Sequence, residues 1–196
     1  EQDSAAFLDC RTMGHRTIPR GLATYDLAVL LLDTGVTHEH ASGGYTERRA
    51  SCELGARLMD VASLRELTVD DLSRAREVLD DVTFRRVRHV VTEDQRVLDT
   101  VAALETTGPR SIGDLLDASH RSMRDDFQIS VPELDLAVET AIENGAIGAR
   151  MTGGGFGGAA IALVDHGHVS RIQVAIDGAF AEHGFGIPDT FVVTPS

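Results

Sequence analysis

The chain has 196 residues, with 18 Lys and Arg against 31 Asp and Glu and a formal net charge of −13. Its 42% apolar and 25% charged residues are the usage of a globular chain, long enough for one domain, or one large domain and part of a second. So acidic a balance excludes a sequence-independent grip on nucleic acid, which needs clustered Lys and Arg, and disfavours an anionic membrane surface.

In chain order, Glu1 is not a Met, and residues 1–6 lack the basic and long apolar regions of a signal peptide. An apolar run over residues 5–8 follows at once. The expectation is a chain entered midway, the C-terminal part of something longer. Residues 7–10 and 17–19 read as a short hairpin. Residues 27–32 form the longest apolar run, far short of the ~20 that span a bilayer, and read as a buried strand ended by Asp33-Thr34-Gly35. Residues 41–44 read as a loop. Residues 45–59 follow as an amphipathic helix with Ala50, Leu54 and Leu58 on its inner face.

Further helices are predicted over residues 70–79, 84–104 and 111–123. Ser130 reads as the N-cap of the next, with Pro132 in the first turn and Glu133 completing a capping box, and Asn144-Gly145 ends it. Residues 147–152 are extended, residues 153–158 are a glycine loop, and residues 159–164 are a second buried strand. A helix over residues 169–183 and a strand over residues 190–194 close the chain. From Leu27 onward this is the α+β, ferredoxin-like βαββαβ order with extra helices in the first crossover.

The sharpest chemical feature is Gly153-Gly154-Gly155-Phe156-Gly157-Gly158. Glycines here permit positive φ and let main-chain N–H groups converge on an anion. Gly153, Gly155 and Gly158 satisfy G-x-G-x-x-G, but a strand follows where a dinucleotide fingerprint needs a helix. A plain hairpin connection is the bland alternative; the length of the stretch favours a loop whose backbone a ligand approaches. Tyr45 stands at a helix entrance, where its hydroxyl could bond a sugar hydroxyl or its ring could cover the helix end.

Other clusters read as structural. His38-Glu39-His40 is a partial metal site without a third ligand at convincing spacing, so it reads as loop. The basic run over residues 84–89 reads as a solvated helix face. Asp125 and Asp126 beside Arg124 fit either general-base work or a surface turn. No Ser/His/Asp triad can be assembled. Cys10 and Cys52 have no activating neighbour, and two cysteines are too few for a disulfide scaffold, which points to a reducing compartment.

Several strings, in order along nearly the whole chain, resemble the C-terminal half of the galactokinase family of GHMP small-molecule kinases. They are F-L-D-C-R at residues 7–11, S-G-G-Y-T-E-R-R-A-S-C-E at 42–53 and R-H-V-V-T-E-D-Q-R at 88–96. S-H-R-S-M-R-D-D-F at 119–127, V-P-E-L-D at 131–135 and the glycine string ending at Gly158 complete the set. Gly44 departs from the Glu the family often has, and Ala159 from its Cys.

The resemblance implies phosphoryl transfer from ATP to the anomeric hydroxyl of galactose, in the cytoplasm. It implies Tyr45 as a galactose contact and Gly153, Gly154, Gly155, Phe156, Gly157 and Gly158 as the active-site glycine loop. It gives this chain no catalytic residue and no metal ligand. The family's catalytic Asp, Mg²⁺ ligands and Ser-rich phosphate loop lie upstream, so the chain alone is expected to be inactive. Residues 1–25 would end an N-terminal GHMP domain as a β hairpin, and residues 26–196 would be the C-terminal domain. The alternative is a non-catalytic galactose-sensing or binding module of the same descent.

Overall fold

A computed structural model describes residues 4–19, 21–37 and 41–193. The expected hairpin is present as β1 (Ser4–Asp9) and β2 (Gly14–Pro19), an antiparallel pair forming its own two-stranded sheet. In its turn the Arg11 N–H and the Thr12 hydroxyl each donate to the Asp9 carboxylate at 3.0 Å. That backbone bond holds the exposed carboxyl below the usual carboxylate range.

The apolar run at residues 27–32 becomes β3 (Leu27–Thr37) and outlasts its predicted end. Gly35 takes φ +63°, and pairing with the neighbouring strand jumps from Asp33 to Thr37, so the turn residues are absorbed as a bulge. The Thr34 hydroxyl donates to the Gly158 carbonyl at 2.6 Å and fastens the bulge to that neighbour.

With β4 (Gly148–Thr152), β5 (Gly157–Asp165) and β6 (Asp189–Val193), β3 forms a four-stranded antiparallel sheet in the order β4-β5-β3-β6. This is the expected ferredoxin-like topology. Ala28, Leu30 and Leu32 of β3 and Ala160, Ala162 and Val164 of β5 face one side. There they meet α5 (Pro132–Glu143) and α6 (Val169–His183) in a core with Leu134, Val138, Ile172, Ile176 and Phe180.

The first crossover holds α1 (Ala41–Leu58), α2 (Leu72–Val78), α3 (Asp81–Thr106) and α4 (Gly113–Arg121). Asp80 starts α3 by accepting the Val82 and Thr83 N–H groups, three residues ahead of the predicted apolar start. A second core, including Ala56, Met59, Leu64, Ala75, Phe84, Val87 and Val91, joins α1, α2 and α3.

Three expectations need correction here. Residues 41–44 are not a loop but already helical. The Ala50, Leu54 and Leu58 stripe faces outward, with Leu58 47% exposed, and the buried face carries Arg48, Gly55, Ala56 and Met59. The reason is Gly55: a Cβ there would collide with Val87 Cγ2, so α3 approaches on the glycine side of α1. Ser130 does not cap α5, whose flanking residue is Val131; the Ser130 hydroxyl donates to Asp135 Oδ1 at 2.6 Å instead.

The edge strand β4 is covered by α4. Its Ala149 and Met151 N–H groups donate to Asp117 Oδ1 at 2.8 Å and His120 Nδ1 at 3.3 Å. Two glycines allow this approach: a Cβ on Gly113 would strike the Ile147 carbonyl, and one on Gly148 would lie 2.6 Å from Gly113 Cα. Burial raises the Asp117 carboxyl above its ordinary value, against the lowering effect of the Ala149 N–H.

Candidate active-site loop

The glycine string connects β4 to β5 and continues into β5 itself. Gly153, Gly155, Phe156, Gly157 and Gly158 all have left-handed φ, from +63° to +122°. Only glycine takes such angles without strain, so the composition follows from the path. Phe156 is held in this conformation by its surroundings. Its N–H donates to the Ile129 carbonyl at 2.7 Å.

The loop has a closed side and an open side. A Cβ on Gly155 would lie 2.6 Å from Ile129 Cβ and 2.8 Å from the Ile129 carbonyl oxygen. A Cβ on Gly153, Gly154 or Gly158 would meet nothing within 4 Å. It is thus a hairpin connection, but one pressed against a neighbour on its inner side and bare on its outer side.

The neighbour is the stretch that follows α4. Residues 122–127 wind one turn of π-helix, and Gln128 takes φ +55° to leave it. The next carbonyls are then bonded in succession. Arg86 Nη1 donates to the Asp126 carbonyl, Arg48 Nε to Phe127 at 2.6 Å, and Arg48 Nη2 to Gln128 at 3.0 Å. The Phe156 N–H takes the Ile129 carbonyl. One run of backbone is therefore gripped by α1, α3 and the glycine loop together.

This arrangement corrects the reading of the basic run. Arg86 is 2% exposed and His89 8%, so neither lies on a solvated face. Burial, then Arg48 and Arg85, pull Arg86 below its usual range, and the carbonyl acceptors make its position tolerable. His89 stacks on Phe127 with ring centroids 4.4 Å apart, and its Nδ1 lies 2.9 Å from Ser122 Oγ. Burial lowers its imidazole to about 4, so it is neutral at pH 7. Asp126 is a structural ion-pair partner, committed to Arg88 on both oxygens and to the Ser122 hydroxyl. Asp125 pairs with Arg124 at 2.8 Å on the surface. Neither aspartate is placed as a general base.

Tyr45 is 62% exposed, so it does not cover the helix end. The preceding Gly44 lies against the Phe156 ring, where an added Cβ would be 2.7 Å from Cε1. The helix turn carrying Tyr45 therefore abuts the glycine loop, and Arg48, one turn on, places its guanidinium 5.8 Å from the Phe156 ring centroid. Arg48 and Arg86 are the residues that sequence reasoning missed as organisers of this region. The paired Arg48-Arg49 string was visible, but the carbonyls that receive Arg48 come from 79 and 80 residues away.

His38-Glu39-His40 lies outside the described residues. Among the described residues no group of three or more His, Cys, Asp or Glu is placed to hold a metal ion. Burial pushes the Cys52 thiol up, the opposite of activation, and Cys10 is exposed.

Residues 100–182 match the family described as GHMP kinases C terminal. A galactokinase of Streptomyces coelicolor is 50% identical over 198 residues, covering all of this chain and 51% of that protein. One from Streptomyces lividans is 49% identical over 97% of this chain and 49% of its own length. A solved Lactococcus lactis galactokinase, complexed with galactose, matches 100% of this chain and 51% of its own, with TM-score 0.92 and 32% identity. The chain thus spans about half the length of the curated relatives it matches.

Proposed function

We propose that the chain is the C-terminal part of a GHMP kinase, a reading supported by its match to that family's C-terminal model and its similarity to galactokinases, and that the protein carrying it is a galactokinase, transferring phosphoryl from ATP to the anomeric hydroxyl of galactose. The observation that carries this reading is the juxtaposition of an exposed tyrosine turn with a glycine loop that is closed on one side and bare on the other.

Tyr45 would bond a sugar hydroxyl, its ring exposed enough to meet a ligand. The bare side of residues 153–158 would let a polyanion or the backbone of a phosphate-binding segment come close, since no Cβ stands in the way at Gly153 or Gly154. ATP would supply the transferred group and the charge that the site must stabilise. The described residues fit an open flank for its phosphates. They do not gather a cradle for Mg²⁺. Among the described residues, Asp126, Asp125 and Glu47 are each held in an ion pair, with Arg88, Arg124 and Arg48, so the work read for this half is positioning, which can supply a large part of such a barrier.

The partners follow: galactose, ATP and an N-terminal GHMP domain preceding residue 26, to which the separate β1–β2 hairpin of residues 1–25 would belong. A cytoplasmic setting is part of the same proposal. No helix among the described residues is long and apolar enough to cross a membrane. The test is a coupled ADP-release assay on the full-length protein with galactose, glucose and N-acetylgalactosamine. Galactose-dependent ADP formation is expected; its absence with active ATP present overturns the reading. The 196-residue chain alone should release no ADP above a no-protein control.

A further inference from the structure

Arg48 touches both halves of the proposed site and belongs to neither. Its side chain leaves α1 one turn after Tyr45, is 11% exposed, and bonds the Phe127 and Gln128 carbonyls through Nε and Nη2. Its Nη1 lies 3.1 Å from Glu47 Oε1, and its guanidinium faces the Phe156 ring. The next carbonyl along, that of Ile129, receives the Phe156 N–H, and Gly155 packs on the same residue. Phe156 in turn presses on Gly44, beside Tyr45. The contacts therefore close a ring: α1, Arg48, residues 127–129, the glycine loop, and back to α1.

From this ring we infer that Arg48 is a positioning residue that sets Tyr45 and the glycine loop in one fixed relation. The role rests on the function proposed above for those two elements. Every part of Arg48 is used. The fork needs two N–H donors in a plane to hold consecutive carbonyls, and the same plane supplies a face to Phe156. A lysine keeps the charge but has neither the fork nor the flat face. Phe156, left-handed and non-glycine, is the complementary part: its backbone joins the carbonyl run while its ring reads the position of α1. Loosening either partner should free the sugar-side turn and the loop together, although they belong to different elements of the fold.

Two variants of the full-length protein test this, Arg48→Lys and Phe156→Leu. The first readout is amide hydrogen exchange, which needs no substrate. In Arg48→Lys, exchange is expected to rise at least tenfold both at residues 43–47 and at residues 153–158, with α5 and α6 unchanged. Phe156→Leu, which leaves the arginine's carbonyl bonds in place, should raise exchange at residues 43–47 by a smaller factor. Acceleration confined to residues 126–129, or spread evenly through α5 and α6, overturns the inference.

The second readout is steady-state kinetics. Arg48→Lys should raise the galactose KM at least fivefold and lower kcat, with the ATP KM within twofold. Loss of folded enzyme alone lowers apparent kcat and leaves KM unchanged, and that pattern also overturns the inference. If the parent protein phosphorylates no galactose, the function proposal fails by itself and the exchange measurement still decides the role of Arg48.

Discussion

Substituting the loop glycines one at a time separates backbone strain from collision. Gly155→Ala forces an L residue to hold φ +86° and sets its Cβ 2.6 Å from Ile129 Cβ and 2.8 Å from the carbonyl oxygen that accepts the Phe156 N–H. Left-handed backbone costs about 1–2 kcal/mol for such a residue. Displacing Ile129 also weakens that hydrogen bond, a further loss of about 1 kcal/mol. The sum, about 2–3 kcal/mol, lowers Tm by roughly 5–10 °C in a domain of this size. Gly153→Ala carries the strain at φ +87° with no neighbour within 4 Å, so it should lose about half as much. Gly154→Ala has neither burden and should melt within about 0.5 kcal/mol of the parent. Melting curves and kcat/KM on the same full-length preparations decide the matter. Per folded molecule, Gly155→Ala should lose at least tenfold in kcat/KM, which needs only about 1.4 kcal/mol at the transition state. Equal melting of the Gly153 and Gly155 variants, or a normal rate per folded Gly155→Ala molecule, refutes the closed-side argument.

Tyr45→Phe should raise the galactose KM by the loss of one hydrogen bond, about 0.5–1.5 kcal/mol, with ATP KM and Tm unchanged because the ring is 62% exposed; a Tm drop without a KM change would make Tyr45 a packing residue. His89 makes stability depend on acid. Burial lowers its folded value from 6.5 to about 4, while Glu93 and Asp126 oppose and Arg96 and Arg150 reinforce the shift. Its contribution is complete above the unfolded value and is lost as pH falls through 6.5 towards 4, up to about 3 kcal/mol. Urea unfolding at pH 7.5 and 4.5 should show His89→Gln losing less stability than the parent, and equal losses would exclude the linkage. Gly113→Ala should cost about 1–3 kcal/mol in chemical unfolding, because its Cβ meets a backbone carbonyl that cannot swing aside; a neutral result would mean that α4 shifts freely over β4.

The sheet was legible because its two central strands are nearly continuous apolar runs and its glycine loop falls between the β4 and β5 segments. The α1 face was not. Pattern reading assigns Leu54 and Leu58 inward, but contact depends on which side a neighbour can approach, and Gly55 offers Val87 the closer seat. The glycines announced a special backbone path at residues 153–158, whereas the surface that the path rests on came from Ile129, an ordinary residue in sequence. The arginine grip was hidden for a related reason. Arginine reads as solvent-facing until unbonded carbonyls are brought to it, and those carbonyls arise from a π turn and a left-handed Gln128 that no local signal marked. Ser130 shows the reverse error, a strong capping signal diverted to Asp135.

The α4–β4 contact makes the two margins of the sheet unlike. At β4, a helix stands in for a missing strand: Asp117 and His120, spaced three residues apart, present acceptors to alternate N–H groups of the strand. That margin is sealed, so a foreign strand cannot pair there without first prising α4 away, and the stem of the glycine loop keeps its register. At the far side, among the described residues, β6 has no strand beyond it and shows Phe191, Val192 and Val193 at 39–52% exposure. Among the described residues the two margins thus differ in kind: β4 has its outward N–H groups taken by α4, while β6 presents an apolar outer edge.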